Sequence, residues 1–145
     1  MSYMKDKVFI DTNIFVYAFL DSEKNADHAK HLKAVDFLKV FHSDTEVIIS
    51  AQVLSEYYSA LLKNKIADNE IQQSLQQLVS AIDVVSLSKK TVIDSFVIRN
   101  RFHYSYWDSL IIASALEHDC IVLYSEDMQH DQIIQEQLRI INPFK

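Results

Sequence analysis

The sequence predicts an α/β protein: a three-layer sandwich with a small central, mostly parallel β-sheet flanked by helices. Three observations predict it. Short runs rich in β-branched residues recur at 8–10, 46–50, 83–87, 120–124 and 139–141. Between them, apolar residues return at helical rather than alternating spacing. A chain of 145 residues with 49% hydrophobic content also suffices for one substantial core. Strands that alternate with helices imply parallel pairing through crossovers, with helices covering both faces of the sheet.

The first strand, Val8-Phe9-Ile10, ends on Asp11. Ile14 to Leu20 is apolar nearly all round and reads as a two-turn helix, with Asn13 as its expected N-cap. Residues 21–27 read as a loop. Ala34, Phe37, Leu38 and Phe41 then mark an amphipathic helix over 26–41. The strand at 46–50 is followed by a helix carrying Val53, Leu54, Tyr57, Tyr58, Leu61 and Leu62. Lys63-Asn64-Lys65 closes it with cations suited to the negative end of the helix dipole. Ile71, Leu75, Leu78, Val79 and Ile82 form the next inward stripe, and the third strand follows at 83–87. Ser88 is the expected cap of a helix whose Val92, Ile93, Phe96 and Val97 face inward. The segment 107–117 is the most uniformly apolar helix. After the strand at 120–124, residues 128–137 read as a helix and 139–141 as a last strand, stopped by Asn142-Pro143.

Composition excludes several functions. No stretch approaches the ~20 apolar residues of a membrane span, and residues 1–7 carry no signal-peptide core. The single cysteine, Cys120, excludes an internal disulfide and any multi-cysteine metal site, and reads as a small buried hydrophobe. These features predict a cytoplasmic protein. A net charge of −6 argues against nucleic-acid binding through a broad basic face. With no glycine, the chain lacks phosphate loops of the Rossmann or Walker type. Left-handed turn positions then fall to Asn, Asp, His or Lys.

Four acids can share the carboxyl edge of such a sheet. Asp11 follows the first strand, Glu56 lies in the helix after the second, Asp108 opens the large apolar helix, and Asp127 follows the fourth strand. Converging carboxylates repel unless a cation sits among them, and oxygen-only ligation favours Mg²⁺ or Mn²⁺ over zinc. Each acid also has a local explanation. Asp11 can order a turn, Glu56 points away from its helix's apolar stripe, Ser105 to Asp108 matches a capping box, and Asp127 can be a loop acid.

His28, His31, His42, His103, His118 and His130 offer no ligand set, although His28 and His31 can share a helix face. Lys63, Lys65, Lys89, Lys90, Arg99 and Arg101 read as solvated helix ends, with Arg99 and Arg101 notable for preceding Asp108. Tyr3, Tyr104, Tyr106 and Trp107 read as core aromatics first and as base-stacking surfaces second.

The ordered segments Phe9-Ile10-Asp11-Thr12-Asn13-Ile14, Ser55-Glu56, residues 106–115, Leu123-Tyr124-Ser125-Glu126-Asp127-Met128-Gln129 and Arg139 to Phe144 resemble a PIN domain, particularly the VapC-like toxins of toxin–antitoxin pairs. The resemblance covers nearly the whole chain as a single PIN-like domain, 1–145. It implies a Mg²⁺- or Mn²⁺-dependent endoribonuclease whose catalytic and metal-binding acids are Asp11, Glu56, Asp108 and Asp127, supported by Thr12 and Ser125. It further implies an RNA substrate, a cognate antitoxin and a homodimer. The chain departs from the family in its lack of glycine, with Asp131 falling at a usual glycine position. Two other functions fit fewer residues: a catalytically inactive binding module on the same fold, and a phosphotransferase with Asp11 as covalent acceptor. The second would want an acid where the chain has Asn13.

Overall fold

The protein is described from a computed structural model over residues 5–21, 26–41 and 44–145. Tyr3 and His42 lie outside these residues. The elements run β1 (Asp6–Ile10), α1 (Thr12–Phe19), α2 (Ala26–Lys39), β2 (Thr45–Ser50), α3 (Ala51–Lys63) and α4 (Asp68–Ala81). They continue as β3 (Asp83–Val85), α5 (Lys89–Phe102), α6 (Tyr106–Glu117), β4 (Val122–Tyr124), β5 (Ile133–Ile134) and β6 (Leu138–Ile141). One sheet of order β3-β2-β1-β4-β6-β5 holds all six strands. All neighbours pair in parallel except β5 with β6.

This order creates the site's position. The chain moves outward from β1 through β2 to β3, then returns to place β4 on the other side of β1. Right-handed crossovers therefore put α1 to α4 on one face and α5 with α6 on the other. The packing of α1 on α2 and α3, of α3 on α4, and of α5 on α6 agrees. The reversal opens a crevice at the carboxyl ends of β1 and β4, where doubly wound sheets bind ligands. Register fixes its floor: Ile10 pairs with Tyr124, the Asp11 amide donates to the Tyr124 carbonyl at 2.9 Å, and Ser125 donates to Ile141. Phe9, Ile10, Ile14, Ile49, Ile112 and Leu123 are fully buried beneath it. Each contributes about 1.5–3 kcal/mol, which together offsets the cost of a carboxyl group held in their midst.

Five sequence expectations are corrected. The first helix begins two residues early, with Asp11 rather than Asn13 as its N-cap, because Asp11 accepts from the Thr12 amide. Residues 128–137 form no helix. Asp131, Gln135 and Glu136 take positive φ, and Ile133 faces out while Ile134 is buried, so the segment closes a short antiparallel hairpin with β6. On α5 the buried residues are Thr91, Ser95 and Ile98. The helix meets α6 through polar groups, Thr91 donating to Glu117, and this rotates Ile93, Phe96 and Val97 outward at 50%, 49% and 55% exposure. On α4, Val79 is likewise exposed while Ile71 is buried. The left-handed positions use Lys65, His103, Asp119 and Asp131 as expected, but also Gln135 and Glu136. Cys120 is fully buried, which raises its thiol pKa to about 12. No described helix is long and apolar enough to cross a membrane.

Candidate active site

Asp11 is the buried centre of the crevice, 5% exposed. Its position follows from β1 ending one residue earlier: the carboxylate turns back to cap α1, taking the Thr12 amide on Oδ1 at 2.7 Å. Its other oxygen accepts from the Ser125 hydroxyl at 2.8 Å. Burial dominates its electrostatics and raises its pKa to about 7, against the lowering effect of those two hydrogen bonds. The charges of Glu56 and Asp108 raise it further.

Glu56 is joined to this centre by Thr12, whose hydroxyl donates to Oε1 at 2.7 Å. Pointing away from the apolar stripe of α3 thus turns it toward the crevice rather than toward bulk water. Asp127 is held from two sides: its amide donates to Ser125 Oγ at 3.3 Å, and Asn13 Nδ2 donates to its Oδ2 at 2.5 Å. Asp108 lies in the first turn of α6, where its amide donates to Ser105 Oγ at 3.1 Å. That supplies one half of the expected capping box. Desolvation, then the Asp127 charge, raises the proton affinity of Asp108, with Glu56 adding to it. Asp127 is raised by desolvation and by Glu126, and lowered by its Asn13 bond and by Lys30.

Thr12, Ser125 and Asn13 therefore link Asp11, Glu56 and Asp127 by hydrogen bonds, and Asp108 is coupled to all three through charge. Two of these contributions escaped the sequence. Asn13 reads as a cap until Asp11 is seen to fill that role. Lys30 carries no motif, yet it contacts Glu126, stands 5.0 Å over the Tyr17 ring and is the cation that acts on Asp127.

The donor set suits a hard divalent cation: carboxylate oxygens only, three of them (Asp11, Asp108 and Asp127) with raised proton affinities that a bound positive charge would reverse. Among the described residues, no three acidic, imidazole or thiol groups are gathered tightly enough to encage a metal as they stand.

Other candidates fall elsewhere. His28 pairs with Asp21 and stacks on His31, His103 and His118 cap helices, and His130 accepts from the Asn142 amide. Arg99 and Arg101 occupy the last turn of α5. Asp131 has the expected positive φ of 68° and pairs with Arg139, which lowers its pKa. Tyr104 is partly buried, whereas Trp107 is 60% exposed and so is no core aromatic. A cavity of about 1080 Å³ between β1, β2 and the ends of α2 and α4 shares no residue with the acids.

The family model that matches the chain is that of the PIN domain, over residues 8–134. No curated protein matches the chain in sequence. Among solved structures, the sarcin–ricin loop cleaving toxin VapC20 of Mycobacterium tuberculosis superposes with a TM-score of 0.66 at 17% identity. That match covers 83% of this chain and 89% of the other. A toxin–antitoxin complex from Klebsiella pneumoniae gives 0.67 at 18% identity, over 94% and 97%. VapBC2 from Rickettsia felis, bound to a promoter DNA fragment, gives 0.67 at 19% identity, over 94% and 99%. At these identities the likeness is one of fold.

Proposed function

The chain belongs to the PIN domain family, and from that premise we propose that it is a divalent-metal-dependent endoribonuclease, the toxin of a toxin–antitoxin pair. The observation that carries this reading is the Thr12–Ser125–Asn13 network, which ties Asp11, Glu56 and Asp127 together beside Asp108. A buried turn residue would need no such linkage to two other chain segments.

In this reading Asp11 and Asp108 are the main ligands of Mg²⁺ or Mn²⁺, and Glu56 and Asp127 complete the set directly or through water. When bound, the ion offsets charge developing on the scissile phosphate and activates the attacking water. The chain's own residues set the geometry. Ser125 and Thr12 fix both oxygens of Asp11, so that its carboxylate needs no reorganisation when substrate arrives. Thr12 orients Glu56, and Asn13, a neutral donor, orients Asp127. Lys30, held by Glu126, supplies positive charge at the rim.

The toxin assignment is supported by the fold shared with VapC20 and with the complexes from K. pneumoniae and R. felis. By the same likeness the partners are an RNA substrate and a cognate antitoxin. The outward apolar face of α5, Ile93, Phe96 and Val97, supports a homodimer. A cytoplasmic location follows from this role.

The phosphotransferase reading is weaker, since both oxygens of Asp11 are engaged and the side chain is buried. Calorimetry with Mn²⁺ tests the proposal against an inactive binding module. The wild-type chain should bind the ion, and Asp108→Asn should bind it at least tenfold more weakly. Equal binding by both, or none by either, would leave the acids without their assigned role.

A further inference from the structure

Beside the acids, a cleft of about 450 Å³ opens between α3 and α6, with Gln52, Ser55, Glu56, Ser59, Lys63 and Trp107 among its walls. Trp107 immediately precedes Asp108, and its indole is mostly exposed, whereas the following residues of α6 from Ser109 to Ala115 are buried. Core packing therefore does not explain it. Its position is nevertheless fixed. Gln52 Nε2 donates to the Trp107 carbonyl at 3.0 Å, and Tyr106 meets the indole at 5.0 Å between ring centroids, inclined by 66°.

The opposite wall is one edge of α3. Glu56, Ser59 and Lys63 recur along it at helical spacing, so the cleft runs from a site acid to a cation over about 10 Å of helix axis. Ser55 and Ser59 are exposed along it. Gln52 is buried, and its carboxamide oxygen has no hydrogen-bond partner. A buried acceptor left unpaired is costly, and a ligand donor entering the cleft would satisfy it while Nε2 stays on the Trp107 carbonyl.

We infer that this cleft is a nucleotide subsite: one unpaired base of the RNA stacks on Trp107, and Lys63 meets a flanking phosphate. The inference rests on the ribonuclease reading above and extends it to how substrate is held. The cleft volume falls within the range of small-ligand pockets, about 300–1,000 Å³. An aromatic plane serves any base, while hydroxyl and amide groups meet base edges. A net charge of −6 argues against holding RNA through a broad basic face, and a local stacking platform supplies binding that does not depend on one. The competing occupant is protein, because Tyr106 also connects Trp107 to the exposed Phe96, at 6.1 Å between rings. The hydroxyls and Lys63 favour the nucleotide.

Trp107 is the only tryptophan, so fluorescence excited beyond the absorption of tyrosine reports on this cleft alone. The full chain is titrated with single-stranded RNA hexamers of each base, and with hexamers carrying one abasic position, in Ca²⁺ and in EDTA. Saturable quenching of the wild type is expected; affinities read for every variant from the anisotropy of dye-labelled hexamers should fall about tenfold for the abasic hexamer and for Trp107→Ala, and be largely retained in Trp107→Phe. Lys63→Gln should reduce the salt slope of binding by about 0.7. No binding, or binding that leaves the emission unchanged and survives Trp107→Ala, would overturn the inference. So would a Trp107→Ala variant that loses dimerisation but keeps its RNA affinity. Failure of the ribonuclease reading shows separately, as absent RNA cleavage by wild type in Mn²⁺ whatever the hexamers do.

Discussion

The hydroxyl of Thr12 donates to Glu56 Oε1 at 2.7 Å, joining the helix after the first strand to the helix after the second. The same residue's amide caps onto Asp11, so one side chain and its backbone set the separation of two acids. Thr12→Val keeps the shape and the amide but removes the hydroxyl. It should lower kcat about 10–100-fold while costing only about 0.5–1.5 kcal/mol of stability. Steady-state kinetics beside thermal melting separate the two effects. An unchanged kcat would mean that Glu56 needs no orientation.

Asn13 gives a sharper contrast, because its sequence role and its structural role make different predictions. As a helix cap, its loss would destabilise the fold by about 1 kcal/mol. As a donor to Asp127 in a helix already capped by Asp11, Asn13→Ala should leave the melting temperature nearly unchanged and reduce cleavage about tenfold. The opposite pattern, lost stability with full activity, would restore the cap.

Asp11 makes the metal-free protein sensitive to pH. Its pKa is raised to about 7 by burial, from an unfolded value near 3.8, so the folded state holds this proton more tightly than the unfolded state. Stability from this group is therefore greatest below pH 4 and declines as pH rises to about 7. A cation removes the penalty, but must displace the proton below pH 7. The melting-temperature gain on adding Mn²⁺ should be larger at pH 8 than at pH 5.5. Asp11→Asn should stabilise the metal-free protein at pH 8, by about 1–3 kcal/mol, and abolish the metal-induced gain. A metal response that is equal at both pH values would contradict this.

Much of this was legible in the residues. The β-branched runs and the acids that follow them gave the parallel sheet and its occupied edge, because strand period and burial are written locally. The orientation of α5 was not, since Thr91 and Ser95 become inward residues only through their partner Glu117 on α6. The hairpin at β5 reads as a helix in the sequence because positive φ at Gln135 and Glu136 has no glycine to announce it. Within the site, Asp11 and Ser125 meet through strand register, which no local pattern encodes. Lys30 escapes notice for the same reason, since its contact with Glu126 joins α2 to the residues after β4.

The rotated α5 face carries its own test. Ile93, Phe96 and Val97 present contiguous apolar surface where solvent would otherwise be. Phe96→Ser should shift the protein from dimer to monomer in sedimentation, raising the dimer Kd by at least tenfold, with little change in the melting temperature of the dilute protein. A monomeric wild-type chain would remove this face from the assembly.

The most direct test of the central claim is cleavage of total RNA by purified wild type, Asp11→Asn and Asp108→Asn in Mn²⁺, each shown to be folded by melting. The predicted result is cleavage by wild type alone, stopped by EDTA. Cleavage that persists undiminished in both variants would contradict the assignment of these acids, and no cleavage by wild type would contradict the ribonuclease itself.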